Sequence, residues 1–216
     1  MESDQSRQSA PLTVCGLQAR GHIKANAGLN LLVLGLMLAS ALTPHWFSYE
    51  GSEFSLTGIN LKEEGGWQDY STFRKRCESE ALQEREDYKA ECAQARRFQF
   101  AGTVCMIFLI SGMCVQVYNS LSVASLGWQL PYGLQRVDVS DRQFTHLAGP
   151  VVYAFALAGW VSLLKVAFYS SFMCGPGFII AITTAAFDFA VAMHYRNFRT
   201  LLESEGKPEQ ASLIAF

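Results

Sequence analysis

Charge is scarce in the apolar stretches of this 216-residue chain: no charged side chain lies between Ala25 and Tyr49, and none between Phe98 and Val123. A basic excess is lacking too. Lys and Arg number 17 against 19 Asp and Glu, a net charge of -2, which leaves no basic stripe to neutralise phosphates and excludes nucleic acid as a partner. None of the six cysteines forms a C-x-x-C pair, which excludes a zinc ribbon or a thioredoxin-like motif. No repeat of fixed period occurs, and no Ser/His/Asp or Cys/His set sits among Gly-rich catalytic signals. The sequence therefore points away from an enzyme, and it implies no metal or cofactor.

What is present is long apolar runs. The first, residues 25–45, has the roughly 20 apolar residues that cross a ~30 Å hydrocarbon core as a helix satisfying its own backbone. Pro44 stops it, and Trp46 and Tyr49 stand where an aromatic belt lies. It is longer than the usual ~7–15-residue core of a signal peptide and follows a polar segment without a strongly basic start, so it is expected to stay as a span. Three further spans are expected at 98–123, 148–172 and 178–195, with a short turn at 173–177 set by Cys174-Gly175-Pro176-Gly177. Residues 1–24, 124–147 and 196–216 become a tail, a linker and a tail on one side, expected to be cytosolic. Cys15, shortly before the first span, is either a plain thiol or a palmitoylation site. Eight basic residues lie in the tails and linker and eight in the 46–97 loop, so the positive-inside rule does not orient the chain.

The loop 46–97 is the only sizeable polar region. Phe54-Ser55-Leu56-Thr57 alternates as a half-buried strand does, and Glu78 to Arg97 is rich in helix formers with both charges at helical spacings. Trp46, Phe54, Leu56, Leu61 and Trp67 are too many large apolar residues to leave wet in one loop. They are expected to pack onto the helix ends and to supply a partner-binding surface.

The run Ala27-Gly28-Leu29-Asn30-Leu31-Leu32-Val33-Leu34-Gly35, ending Thr43-Pro44-His45-Trp46, resembles the first span of claudins and their relatives. Those relatives include the peripheral myelin protein group and the calcium-channel gamma subunits. The order of spans and loops is similar to theirs. So are Cys92-Ala93-Gln94-Ala95-Arg96 before the second span and Val166-Ala167-Phe168-Tyr169 late in the third. The family's G-L-W signature is incomplete here, as Gly65-Gly66-Trp67, and Cys77 lies ten positions after Trp67. The resemblance implies an all-α membrane protein: a four-transmembrane-helix bundle whose large extracellular first loop holds a small β-sheet and a helix. It also implies an oxidised loop with a Cys77–Cys92 disulfide. On one continuous helix these cysteines would stand about 22 Å apart, beyond disulfide reach, so either Cys77 ends a strand lying back along the helix or the bond is absent.

Lys165 and Asp188 are the ionisable residues of the spans, where such groups are costly and often functional. They either pair between the last two spans, or Lys165 snorkels while Asp188 bonds Thr183, Thr184 or a neighbouring helix. His22, His146 and His194 fall near one membrane face and His45 near the other. Ala154/Ala158, Ala181/Ala185 and Ala186/Ala190 are small-residue pairs suited to close helix packing. The carboxyl end, Ser212 to Phe216, has the alternation a PDZ-type groove accepts.

The resulting expectation is a multi-pass protein of the plasma membrane, in contact with lipid and other integral membrane proteins. It would serve a larger complex, with a channel pore subunit as one such partner. A claudin-like adhesion or barrier protein and a haem- or quinone-linked redox subunit are the alternatives.

Overall fold

The computed structural model describes residues 19–49, 51–60, 66–78, 86–129, 142–164 and 172–206. Its helices are α1 (Ala19–Leu42), α2 (Tyr70–Cys77), α3 (Glu86–Gln129), α4 (Arg142–Leu164) and α5 (Pro176–Gly206). Its strands are β1 (Phe47–Tyr49), β2 (Ser52–Phe54), β3 (Gly58–Asn60), β4 (Trp67–Asp69) and β5 (Phe172–Cys174).

Among the described residues, four helices contain stretches long and apolar enough to cross a membrane: Gly21–Leu42, Arg96–Leu126, Phe144–Leu163 and Pro176–Phe198. They mark the chain as a multi-pass membrane protein. The four form a ring in which α3 packs on α1 and α4, and α5 packs on α1 and α4. Large apolar residues such as Leu38, Ile107, Ile110, Phe155, Ile182 and Phe189 point outward from the ring, as lipid-facing residues do.

Local chemistry sets the helix ends. Asn26 and Asn30, poor residues for a helix interior, each donate Nδ2–H to the carbonyl one turn back, His22 at 2.9 Å and Asn26 at 2.8 Å. Past Leu42, the Thr43 hydroxyl donates to the Ala39 carbonyl at 2.7 Å, and Pro44 prevents another turn. Pro176 opens α5 at a first-turn position where its missing N–H costs nothing. α3 is 44 residues long, about 66 Å, so its first turns project well beyond a membrane.

The strands form one antiparallel sheet in the order β4-β3-β2-β1-β5 over one end of the ring. Its last strand corrects the expected third span, 148–172. The helix starts earlier, at Arg142, and holds a stretch long enough to cross at Phe144–Leu163, while Phe172–Cys174 pairs with β1 as a strand. The expected turn at 173–177 is thus anchored to the first loop, with Gly175 N–H donating to the Trp46 carbonyl and Gly177 N–H to the His45 carbonyl, both at 2.8 Å.

The alternating stretch Phe54–Thr57 is not a strand throughout. The strand ends at Phe54, and Ser55 makes the turn: its hydroxyl oxygen accepts N–H bonds from Thr57 at 3.1 Å and Gly58 at 2.7 Å. Cys77 ends a short helix rather than a strand, and α2 lies back against α3. Ala154, Ala158, Ala186 and Ala190 turn outward, because Tyr153, Ala156 and Trp160 hold the inward stripe of α4 and Thr184, Asp188 and Val191 that of α5. Of the three alanine pairs, Ala181/Ala185 is the one turned toward its neighbours.

Candidate functional site

Two regions carry the chemistry, one at each end of the ring. At the sheet end, aromatic residues lock the sheet to the helices. Trp46 is fully buried, donates its indole N–H to the Ser40 carbonyl at 3.0 Å and meets Trp160 edge-on at 5.4 Å. Phe54 stacks on Phe98 at 4.1 Å, and Phe47 packs against Phe178 at 4.7 Å. Trp46, Phe54 and Leu56 therefore spend their surface on the chain's own core and offer none to a partner. Leu61, the fourth of the expected contact residues, lies outside the described residues.

Trp67 differs. It stands on edge strand β4 with 41% of its surface exposed, and its ring meets His45 edge-on at 5.3 Å. His45 Nδ1 lies 3.1 Å from Glu53 Oε2, which also accepts from Asn60 Nδ2 at 3.0 Å. Beside Trp67 opens a groove of about 270 Å³ between the end of α1 and the sheet, lined by Thr43, Pro44, Thr57, Gln68 and Asp69 among others. Below it, buried Tyr70 donates its hydroxyl to the Ser55 carbonyl at 2.9 Å, and burial pushes its phenol well above the usual tyrosine range.

Cys77 and Cys92 are joined as a disulfide, with Cα atoms 5.8 Å apart. The 22 Å objection is met because α2 ends at Cys77 and α3 begins at Glu86, so the two cysteines sit on different helices.

No protein-family model matches the chain, and no curated protein matches it in sequence.

The other end holds buried polar residues from all four long helices. His22 Nδ1 and His194 Nε2 are 3.3 Å apart, spaced for a hydrogen bond. His146 stacks on Tyr195 at 3.7 Å, so the three histidines assigned to one membrane face do gather there, with His45 at the sheet end. Deeper in the ring, the Gln116 amide donates to Asp188 Oδ1. The partner of Asp188 is thus on a neighbouring helix, one of the two alternatives read from sequence. Lys165 lies outside the described residues. Gly149 of α4 completes the wall: a β-carbon there would come within 2.7 Å of Gln116 Nε2 and 3.1 Å of Asp188 Oδ2.

Asn26, Asn30, Gln116 and Asn119 join Asp188 in this buried set, beyond the intramembrane residues expected from sequence. The signal was present. Two asparagines four apart in the uncharged stretch from Ala25, and Gln116 three before Asn119, place carboxamides on single helix faces. No group of three or more His, Cys, Asp or Glu suited to a metal occurs among the described residues.

Proposed function

We propose that this chain is a non-catalytic four-span protein of the plasma membrane, a distant relative of the claudin and channel-gamma-subunit superfamily, acting as an auxiliary or structural subunit of a larger membrane complex such as an ion channel. The reading rests on Trp67. The sheet end buries Trp46, Phe47, Phe54, Tyr70 and Phe73, yet leaves this one indole exposed on an edge strand above an open groove. Large aromatics left exposed on an otherwise well-packed platform are the residues that anchor protein interfaces. The disulfide and the buried aromatics hold that surface rigid, which lowers the entropic cost of docking. The outward apolar faces of the ring supply a second contact area within the bilayer.

The test is extraction in mild detergent followed by identification of co-purifying proteins, with wild type and Trp67→Ala side by side. A channel pore chain that is lost from the Trp67→Ala sample supports the reading. Self-polymers in adjoining membranes would replace it with the claudin-like adhesion role. A partner retained in full by Trp67→Ala would remove Trp67 as the contact.

A further inference from the structure

We propose that the interior of the ring, at the level of Asp188, binds a monovalent alkali cation of the sodium class. Five acceptor oxygens without a hydrogen-bond donor belong to buried residues within about one helical turn of that level: Asn26 Oδ1, Asn30 Oδ1, Gln116 Oε1, Asn119 Oδ1 and Asp188 Oδ2. Their residues are at most 1% exposed. The amide orientations follow from their own bonds. Asn26 and Asn30 each aim an N–H at a carbonyl one turn back, Gln116 aims one at Asp188, and Asn119 aims one at the Thr145 carbonyl at 3.3 Å. Reversing any of these amides would set oxygen against oxygen, so each carbonyl oxygen is the atom left over.

The levels agree. The His22–His194 contact sets α1 against α5. From it, Asn26 and Asn30 lie about 6 and 12 Å along α1, and Asp188 about 9 Å along α5. Asp188 therefore sits at a depth between the two asparagines. Gln116 touches it from α3, and Asn119 lies one turn nearer the histidines on that helix. Gly149 lets the α4 backbone approach close enough to seal the fourth side.

Several unmet acceptors close in depth to one carboxylate, within an apolar ring, call for positive charge. Among the described residues no lysine or arginine pairs with Asp188. A proton on Asp188 would furnish one donor for several acceptors. A cation satisfies many oxygens at once, and carboxylate and amide oxygens are hard ligands suited to alkali and alkaline-earth ions rather than to softer metals. A single carboxylate balances one positive charge. A divalent ion would leave an uncompensated charge in the membrane interior, which is expensive. The buried stripe His22, Asn26, Asn30, at four-residue spacing on α1, runs from the histidines to this level.

The test is thermal unfolding of the purified full chain in detergent, followed by tryptophan fluorescence, in sodium, potassium or choline chloride at equal ionic strength. A ligand held by the folded state alone raises the midpoint with its concentration. Sodium should raise the midpoint relative to choline, saturably, with potassium weaker. Asp188→Asn should shift the half-saturating sodium concentration by about tenfold or more, which corresponds to ~1.4 kcal/mol. Asn30→Ala should shift it in the same direction, and lipid-facing Ser111→Ala should leave it unchanged. Equal midpoints in sodium and choline for the wild type would overturn the proposal, leaving water as the partner of these oxygens. A sodium effect that persists undiminished in both Asp188→Asn and Asn30→Ala would overturn it as well. If Asp188→Asn fails to fold, the wild-type titration and Asn30→Ala still decide.

Discussion

Gly102 lies directly beneath the backbone carbonyl of Leu56, so close that a β-carbon at position 102 would collide with the oxygen. The turn after β2 thus rests on α3 with no side chain between them. Gly102→Ala should force the sheet off the helix and destabilise the protein by about 1–3 kcal/mol, the usual range for overpacking a tight site. Gly35→Ala is the control, since a β-carbon there meets nothing within 4 Å. Midpoints of thermal unfolding in detergent should separate the two variants.

Replacing Cys77 or Cys92 with Ser should leave the four spans inserted but loosen the sheet end. Closing a loop of about fifteen residues removes roughly 3 kcal/mol of unfolded-state freedom in the chain-entropy model. The double replacement should be no worse than either single one, because one bond is lost in each case. Hydrogen exchange of α2 and β4 is the measurement. Unchanged protection in the double variant would show that the cross-link contributes nothing.

Trp46→Phe should be costly although both residues are aromatic. The indole N–H reaches the Ser40 carbonyl, and the ring fills the space between Trp160 and Phe178. Loss of the bond alone costs on the order of 1 kcal/mol, and the smaller ring adds a void. Phe replacing exposed Trp67 should be near neutral for stability, which separates the packing indole from the contact indole in one unfolding series.

Alkaline pH should weaken the sheet end. Burial raises the folded-state pKa of Tyr70 above its unfolded value, so the native state keeps a proton that the unfolded state releases above about pH 10. The contribution is fully present below that pH and is lost as pH rises beyond it. Tyr70→Phe removes this alkaline loss at the cost of the hydroxyl bond to Ser55, about 1 kcal/mol. Urea midpoints of the two proteins at pH 8 and pH 11 should converge as pH rises.

Much of the fold was legible because a membrane demands an unmistakable signal. Charge-free runs such as 25–45 and 98–123 leave helix as the only way to satisfy a backbone in hydrocarbon. The third span was misjudged at its end because Phe172 and Met173 are apolar whether they face lipid or complete a sheet, and hydropathy does not distinguish the two. The Ser55 turn was hidden for a related reason: alternation says which side chains are buried, not where the backbone reverses. Trp46 and Trp67 look alike as residues, and only the placement of β4 at the edge of the sheet separates them. The buried carboxamides were overlooked because each, taken alone, is a tolerable polar residue in a span. Their meaning lies in how the carboxamides of α1 and α3 come together with Asp188 of α5, which is a tertiary property.

The pairing of β1 with β5 imposes a timetable. β1 leaves the ribosome well over a hundred residues before its partner, after the first span and before the other three. Until Phe172–Cys174 has emerged, the hydrogen-bonding edge of β1 that faces β5 has no strand beside it, and α1 has no α5 to close the ring. The first loop can reach its final state only after Phe172–Cys174 has been made. A chain arrested after α4 would carry an open strand edge and an uncovered helix face together, so two aggregation-prone surfaces would be exposed at once.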